Sequence, residues 1–149
     1  MHRSALDTHR NLGSVTTTSA LFHKIPGRVG DSPILGARLW LDDENGSTDR
    51  GEANLLILFS HAIVEALRRG MGPKDATLEA CKRIAARNRD PRLRDSKGRP
   101  NFDVKFYCVS KDERFAGSSR WASAKMAVPD GEAARLVDCS PLYEEARPG

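Results

Sequence analysis

The apolar positions of the chain indicate a first helix between Glu52 and Arg69. The apolar residues of this segment recur at spacings of three and four, and they are Leu56, Phe59, Ile63 and Leu67. This spacing places them on one face of a helix. Gly70 and Gly72 follow, and they end the helix because glycine readily adopts the backbone angles of helix C-termini.

A second helix is predicted from Pro73 to about Asn88. Pro73 and Asp75 suit its first turn, where a missing N–H costs nothing and a negative charge is favourable. Its buried side would be lined by Ala76, Ala80, Ile84 and Ala85. These mostly small side chains predict close packing against a sheet or a neighbouring helix.

Strands are predicted mainly after the helices. Residues Asp103–Val109 alternate, with Val104, Phe106 and Cys108 on one face. Further short strands are expected at Arg114–Gly117, Trp121–Val128 and Arg135–Val137. Before the helices, the hydroxyl-rich stretch Ser14–Ser19 suits a strand end or an exposed edge.

Four segments lack a regular pattern and are expected to be irregular. Residues 1–12 are polar with little periodicity, and residues 26–33 contain two prolines and two glycines, which define a specific loop. Residues 42–51 and the charged residues 89–101 form two more loops. The chain is thus expected to form one domain of mixed α and β structure.

Composition excludes several classes of protein. Apolar residues make up 39% of the 149 residues, enough for a core, and no apolar run approaches the length of a membrane-spanning helix. The N-terminus lacks the apolar stretch of a secretory signal. We therefore expect no membrane association and, for the sequence as given, a cytoplasmic protein, although its compartment is otherwise unknown.

The formal net charge of +4 does not by itself call for nucleic acid. The stretch Lys82–Arg99 carries eight Lys or Arg, but it lacks interleaved aromatic residues and falls largely in an expected loop. A solvated surface is the better interpretation, and no nucleic-acid partner is expected.

No metal or other cofactor is predicted. The three cysteines are widely spaced and form no zinc-ligand pair, so each is most simply a small buried residue. Cys139, in a polar tail, is the candidate exception. The histidines show no ligand spacing, and His61 suits a packed or surface position better than that of a base.

Two charged residues of the first loop suggest a ligand site. Arg28 could hold a carboxylate by a two-pronged hydrogen bond, and Asp31 could accept an ammonium, so the pair could bind a zwitterion. A local salt bridge that shapes the turn is an equal alternative. Nearby, Thr16–Thr18 could supply hydroxyls to a hydrolase, although a threonine-rich strand edge explains them more simply.

Thr48 lies in the second loop, directly before the first predicted helix. Free backbone N–H groups at a helix start attract anions, so Thr48 could contribute to an oxyanion hole or contact a substrate. Helix capping by Ser47 or Thr48 is the alternative.

Taken together, these segments closely resemble the β-subunit of the glycosylasparaginase family, which includes plant-type asparaginases with isoaspartyl peptidase activity. The resemblance is carried by KIPGRVGDSPI at Lys24–Ile34, by the preceding VTTTS and by the following STDRGEANLL. It extends from about Leu6 to Glu144, so residues 1–149 are expected to form a single β-subunit-like portion.

The resemblance implies an N-terminal nucleophile hydrolase with an αββα sandwich, of which this chain would supply the C-terminal half. In the family, a precursor cleaves itself and exposes a threonine that attacks the side-chain amide of an asparagine derivative. The resemblance assigns assistance of that nucleophile to Thr18, carboxylate binding to Arg28 and ammonium binding to Asp31. It assigns the oxyanion hole to Thr48 and a substrate contact to Gly51.

Two departures from the family concern the start of the chain. The family's nucleophile would fall immediately before Met1, so the nucleophile and the α-subunit are expected to be absent, and the chain alone to be inactive. Asp7-Thr8 looks like the family's cleavage site, but it stands too close to Thr18 for the usual strand, turn and strand. We interpret it as a coincidental match.

A third departure is Asp49, which stands where the family has glycine, in a loop that also looks shortened. A carboxylate there would oppose a developing oxyanion. The resulting hypothesis is a fragment of an amidohydrolase that acts on N4-(β-N-acetylglucosaminyl)-L-asparagine, L-asparagine or β-aspartyl peptides. The complete protein would pair with an α-subunit in an (αβ)2 assembly. The alternative is a non-catalytic relict or aspartate-binding module that uses Arg28 and Asp31.

Overall fold

The structure is a computed structural model that describes residues 2–17, 25–27, 29–30, 32–42, 44–49, 58–129, 131 and 133–147. The strands of the described residues are β1 (His2–Leu6), β2 (Leu12–Thr16), β3 (Leu39–Leu41), β4 (Asn45–Asp49), β5 (Lys105–Ser110), β6 (Phe115–Trp121), β7 (Lys125–Pro129), β8 (Ala134–Asp138) and β9 (Ser140–Tyr143). The helices are α1 (Phe59–Arg68) and α2 (Pro73–Arg87), followed by a 3-10 turn at Pro91–Leu93. The fold is mixed α and β, as predicted.

A five-stranded sheet organises the molecule. Its strands follow the order β3-β4-β5-β6-β9. The first three pairings are antiparallel, whereas β9 joins β6 in parallel, with Ser118 opposite Ser140. Two separate hairpins, β1–β2 and β7–β8, complete the described strands.

The two helices cover one face of the sheet and form the hydrophobic core with it. Phe59 and Ile63 of α1 and Ile84 of α2 are almost fully buried against Phe106 and Cys108 of β5. The rings of Phe59 and Phe106 are 5.4 Å apart at a tilted angle. Such burial of aromatic and aliphatic side chains is the main stabilising contribution to a fold of this size.

The predicted helices are largely confirmed. The second spans Pro73–Arg87, although Ala85 on its predicted buried side is only half-buried. The first is described from Phe59, and its earlier part, with Leu56, lies outside the described residues. It ends as expected, because Gly70 adopts a φ of 86° and its N–H reaches back to Leu67 O at 2.8 Å.

The expectation of an irregular N-terminus is wrong. Residues 2–6 form β1, which pairs with β2 in register from His2 opposite Thr16 to Leu6 opposite Leu12. Asp7 shapes the connecting turn, since its Oδ1 accepts the backbone N–H of His9 at 2.8 Å and of Asn11 at 2.7 Å. Hydrogen bonds from Asn11 lower the pKa of Asp7. Asp7-Thr8 therefore begins a hairpin turn.

The prediction of a loop at residues 42–51 is also wrong in part, because Asn45–Asp49 form the strand β4. The residues NGSTD have low intrinsic strand propensity. Pairing with β3 on one side and β5 on the other imposes the extended state.

The C-terminal strands are close to their predicted places, with two corrections. β6 continues to Trp121, so the next strand starts only at Lys125, and the sequence pattern does not predict β9. Cys139, the candidate exception among the cysteines, is 6% exposed between β8 and β9. It is therefore buried like Cys81 and Cys108.

The basic stretch is only partly a loop, because Lys82 to Arg87 belong to α2. Beyond the helix, Asp90 pairs with Arg92 at 2.8 Å, and Asp95 and Glu145 both pair with Arg99, at 3.0 and 2.6 Å. Ion pairs thus engage part of this stretch. Among the helices described, none has the length and apolar character needed to span a bilayer.

Candidate functional site

The strand β4 carries Thr48 through the middle of the sheet. Thr48 stands opposite Leu39 of β3 and Tyr107 of β5 in the pairing register. The turn that precedes β4 is closed by Asp42, whose Oδ1 accepts the N–H of Glu44 at 2.8 Å and of Asn45 at 2.6 Å. Thr48 thus lies in a paired strand, whereas the sequence predicted a loop at this position.

The hairpin β1–β2 lies against the strands β3, β4 and β5. Because α1 and α2 cover the other face of these strands, the hairpin occupies the face opposite the helices. Its strand β2 ends at Thr16, two residues before Thr18, which itself lies outside the described residues. The strand β2, which ends at the first threonine of the predicted run, is therefore in contact with β4, the strand that carries Thr48.

The structure describes the loop around Arg28 and Asp31 only at residues 25–27, 29–30 and 32–33. Gly27 adopts a φ of 84°, which suits glycine after Pro26. Arg28, Asp31 and Gly51 lie outside the described residues, so their predicted roles and the alternative Arg28–Asp31 salt bridge stay predictions.

One charged residue near this loop is not predicted from the sequence. Arg38 is only 5% exposed, and its Nη1 donates to Ser32 Oγ at 3.2 Å. Ser32 directly follows Asp31. The signal available in the sequence is a single arginine inside the apolar stretch Ile34–Leu41, since a charged residue in such a stretch needs a partner if it is buried.

The turn that carries Arg38 is fixed to the start of α1. The N–H of His61 donates to Gly36 O at 3.2 Å, and Ser60 Oγ donates to Ala37 O at 3.5 Å. Gly36 has a φ of 81°, and a Cβ there would lie 3.3 Å from that of His61. His61 also packs edge-to-face on Trp40 with ring centroids 4.8 Å apart, in keeping with the packed position expected for it.

Asp49, the residue that departs from the family pattern, ends β4. It stands opposite Phe106, a fully buried residue of the core. The sequence does not predict that this carboxylate-bearing residue lies in a sheet strand, because it offers no strand signal there.

The buried thiols are poor nucleophiles. Burial raises the pKa of Cys108 to about 12, and it also raises the pKa of Cys139. A thiol reacts as its thiolate, and a raised pKa keeps it protonated near neutral pH. Among the residues that the structure describes, no group of three or more His, Cys, Asp or Glu side chains could hold a metal ion.

Comparison with known proteins identifies the family. The family described as asparaginase matches residues 4–91, more than half of the chain. This chain belongs to that family.

Individual relatives agree with this assignment. The chain is 34% identical over 137 residues to an N(4)-(beta-N-acetylglucosaminyl)-L-asparaginase of Elizabethkingia miricola. The aligned region covers 89% of this chain and 38% of that relative. It is 43% identical over 89 residues to a putative N(4)-(beta-N-acetylglucosaminyl)-L-asparaginase of Drosophila yakuba, and the aligned region covers 58% of this chain and 22% of that relative. It is 38% identical over 85 residues to a probable isoaspartyl peptidase/L-asparaginase 3 of Arabidopsis thaliana, and the aligned region covers 55% of this chain and 24% of that relative.

The chain spans at most 38% of the length of these relatives. The family match over residues 4–91 runs from within β1 to the end of α2 and the 3-10 turn's first residue, and it contains Thr18, Arg28, Asp31, Thr48 and Gly51.

Proposed function

We propose that this chain forms the β-subunit part of an amidohydrolase that cleaves the side-chain amide of asparagine derivatives. The substrate class comprises N4-(β-N-acetylglucosaminyl)-L-asparagine, L-asparagine and β-aspartyl peptides. The single observation that carries this proposal is the family match over residues 4–91, because Thr18, Arg28, Asp31, Thr48 and Gly51 all fall within it. The approach of β2 to β4 supports it further.

The proposed residues divide into binding and chemistry. Arg28 holds the α-carboxylate of the substrate through a two-pronged hydrogen bond, and Asp31 accepts its α-ammonium. These contacts orient the side-chain amide for attack by an N-terminal threonine hydroxyl, which Thr18 assists. Thr48 donates to the oxyanion that develops on the amide carbonyl, and Gly51 allows the substrate to approach the backbone.

The complete enzyme has an αββα sandwich in this proposal. The helices α1 and α2 and the five-stranded sheet form one half, and an α-subunit supplies the other half. Two such αβ units assemble as (αβ)2. Exposed apolar side chains in the described residues, such as Ile25, Val29 and Leu35 at 71–76% exposure, support a partner surface of this kind.

The test begins with the native protein purified from its source cells. Intact mass and N-terminal sequencing identify its chains, and release of aspartate from a β-aspartyl amide is then measured. We expect a chain that begins with threonine, a second chain beside it, and turnover that a Thr18→Ala variant loses. A single chain without aspartate release would overturn the hydrolase proposal.

Asp49 favours a second candidate, an aspartate-binding module without turnover. Its carboxylate follows the proposed oxyanion donor Thr48 directly, and a negative charge in a dry site repels a developing oxyanion. The ligand contacts of Arg28 and Asp31 do not depend on that donor.

An Asp49→Gly variant separates the two candidates. If Asp49 suppresses chemistry, the variant raises the rate of aspartate release by roughly tenfold or more and leaves binding of L-aspartate within about twofold, because one oxyanion interaction contributes at least that much. Asp49→Asn, which removes the charge and keeps the size, is the matched control. Unchanged turnover in both variants contradicts the repulsive role of Asp49.

A further inference from the structure

A polar cavity lies at one end of the five-stranded sheet, beside the last turn of α1. Its volume is about 330 Å³, within the range of sites for small molecules. Its lining comes from the start of β4, the end of α1 and the turn that joins β5 to β6. None of these lining residues has a role in the proposed function, which therefore leaves this cavity unused.

Two of the lining residues are polar and more than nine-tenths buried. Asn45 is 8% exposed and Ser110 is 4% exposed, and the two stand opposite each other in the pairing of β4 with β5. Residues paired in this way carry their side chains on the same face of a sheet. Ser110 alternates along β5 with Phe106 and Cys108 of the core, so this face is the one that the helices cover.

The polar groups of these two side chains are not engaged by the protein itself. Within the described part of the chain, neither the Asn45 amide nor the Ser110 hydroxyl makes a hydrogen bond to another residue. Buried amides and hydroxyls almost always have a hydrogen-bond partner, because an unpaired one destabilises the fold. Both groups can donate and accept, so we expect a ligand in the cavity to bind them.

Charged side chains of both signs complete the lining, and among the described residues three are positive and two are negative. Lys111 Nζ lies 3.9 Å from Glu44 Oε1, too far for a hydrogen bond, so both groups are available to a ligand. Arg114 donates through Nε to Asp112 Oδ2 at 2.6 Å, which leaves its Nη groups for another acceptor. The cavity therefore offers donors for an anion and a carboxylate for a cation.

This mixture of charges favours a zwitterion. A ligand with only a negative charge would be repelled by Glu44 and Asp112, and one with only a positive charge by Lys111 and Arg114. A ligand that carries both charges meets an opposite charge at each end.

The walls of the cavity are held in place by contacts within the protein. Lys111 N donates to Glu44 O at 2.7 Å, which joins the turn before β4 to the turn after β5. Arg68 of α1 pairs through Nε with Asp42 Oδ2 at 2.7 Å, which joins the end of the helix to the turn before β4. A site that is already ordered binds its ligand at a smaller cost in conformational entropy.

We propose that this cavity binds a small polar α-amino acid, such as L-serine. Lys111 and Arg114 hold its carboxylate, and Glu44 accepts its ammonium. Asn45 and Ser110 bond the hydroxyl of its side chain. The inference does not depend on the proposed function, because none of these five residues takes part in it.

The test is calorimetry on the protein in its native assembly with three ligands. L-Serine is the probe, ethanolamine lacks its carboxylate, and 3-hydroxypropionate lacks its ammonium. We expect L-serine to bind, and each analogue to bind roughly tenfold or more weakly, as for the loss of a charged hydrogen bond. Equal or tighter binding of either analogue contradicts a zwitterion site.

Two variants locate the bound L-serine. Lys111→Met removes the ammonium and keeps most of the side-chain length, and it should weaken L-serine binding roughly tenfold. Ser110→Ala removes one hydroxyl and should weaken binding about threefold to tenfold. Lys82→Met changes an exposed lysine of α2 and is the matched control, with a Kd expected within about twofold of the wild type. If Ser110→Ala destabilises the fold, Lys111→Met decides, because the Lys111 side chain is 38% exposed.

Arg28→Met separates this cavity from the proposed substrate site and should leave the Kd for L-serine within about twofold. If Arg28→Met abolishes binding while Lys111→Met keeps it, L-serine occupies the substrate site, so the inference is wrong and the proposed function stands. The inference is also wrong if the wild-type protein does not bind L-serine at millimolar concentration, or if Lys111→Met and Ser110→Ala leave the Kd unchanged. The proposed function fails separately, through the absence of aspartate release.

Discussion

Gly117 is the position at which β6 has least room for a side chain. A Cβ there would lie 2.8 Å from Cys139 Sγ, 2.8 Å from Met126 Sδ and 3.2 Å from Tyr107 Cδ1. Its neighbours Ala116 and Ser118 face the helices, so Gly117 faces the opposite side of the sheet. Glycine here permits the β7–β8 hairpin to pack closely on β6.

Gly117→Ala is therefore expected to destabilise the protein by about 1–3 kcal/mol, the usual cost of overpacking. Thermal and denaturant unfolding measure the change. Gly13→Ala in β2 is the matched control, because a Cβ at Gly13 would have no atom within 4 Å and the free energy of unfolding should hardly change. Equal stability of the two variants contradicts the tight packing at Gly117.

A buried pair of hydroxyls connects α2 to β6. Thr77 Oγ1 and Ser118 Oγ are 2.7 Å apart, and both residues are fully buried. Thr77 also donates within its own helix, to Pro73 O at 3.0 Å. Ser118 then donates to Thr77, so removal of the Thr77 oxygen leaves the Ser118 hydroxyl without its acceptor.

Thr77→Val should lower the free energy of unfolding by about 1–3 kcal/mol, because it leaves the buried Ser118 hydroxyl without a hydrogen-bond acceptor. The double variant Thr77→Val/Ser118→Ala removes both polar groups and should be more stable than Thr77→Val alone. Denaturant unfolding of the four proteins in this cycle gives the coupling. Additive effects of the two substitutions argue against the hydrogen bond.

The charged segment after α2 is attached to the C-terminal strand through Arg99. Its guanidinium lies over the rings of Trp121 and Tyr143, at 4.8 and 5.3 Å from the centroids, and Nη1 bonds Glu145 Oε2 at 2.6 Å. The side-chain hydrogen bond from Arg99 lowers the pKa of Glu145 below its ordinary value of 4.5. This attachment is therefore sensitive to acid.

The sign of that sensitivity follows from the lowered pKa. Above pH 4.5 Glu145 is ionised in both states and its contribution is fully present; it is lost as the pH falls through the folded-state pKa. Glu145→Gln should lower Tm slightly at pH 7, by an amount that shrinks toward pH 3. The matched control is Glu144→Gln, which makes the same change of charge at the exposed neighbouring residue. A Tm difference for Glu145→Gln that is constant with pH contradicts this role.

At the scale of the elements, local patterns predict best what local interactions determine. The helices α1 and α2 follow from periodicity and from Pro73 and Gly70, all of which act within a few residues. The strand β5 follows from its alternation. In contrast, β4 has a polar sequence, and its extended state results from pairing with β3, just before it in the chain, and with β5, which begins only at Lys105. The strand β9 is likewise defined by its parallel pairing with β6, which no short window reveals.

The candidate site shows the same division. The loop that carries Arg28 and Asp31 is recognisable from its glycines, prolines and opposite charges. The contact between Arg38 and Ser32 of that loop cannot be recognised from the sequence, because it exists only once folding has buried Arg38 next to Ser32. Likewise the approach of β2 to β4 depends on the hairpin β1–β2, whose first strand is too polar to be predicted.

The whole molecule leaves several large apolar side chains exposed around the first loop. Val15, Ile25, Val29 and Leu35 are 57–76% exposed. The proposed α-subunit would cover this region in the complete enzyme.

Residues 1–149 produced without other chains are accordingly expected to self-associate. Sedimentation velocity over a range of concentrations measures this, and the double variant Ile25→Lys/Leu35→Lys should shift the protein toward monomer. Leu136→Lys is the matched control, since Leu136 is equally exposed, at 69%, but lies on β8, far along the chain from this region. A monomer with a sharp peak and cooperative melting at all concentrations contradicts the expectation.

The attachment of Arg99 to the last strand also sets an order of events during synthesis. A ribosome makes the chain from its N-terminus at about 5–20 residues per second, so Arg99 and Trp121 emerge before Tyr143 and Glu145 exist. During that interval the strand β6 lacks its partner β9, and Arg99 lacks its contacts with Tyr143 and Glu145. The nascent chain thus reaches its native state only when β9 arrives, and a chaperone that protects open strand edges would act on it until then.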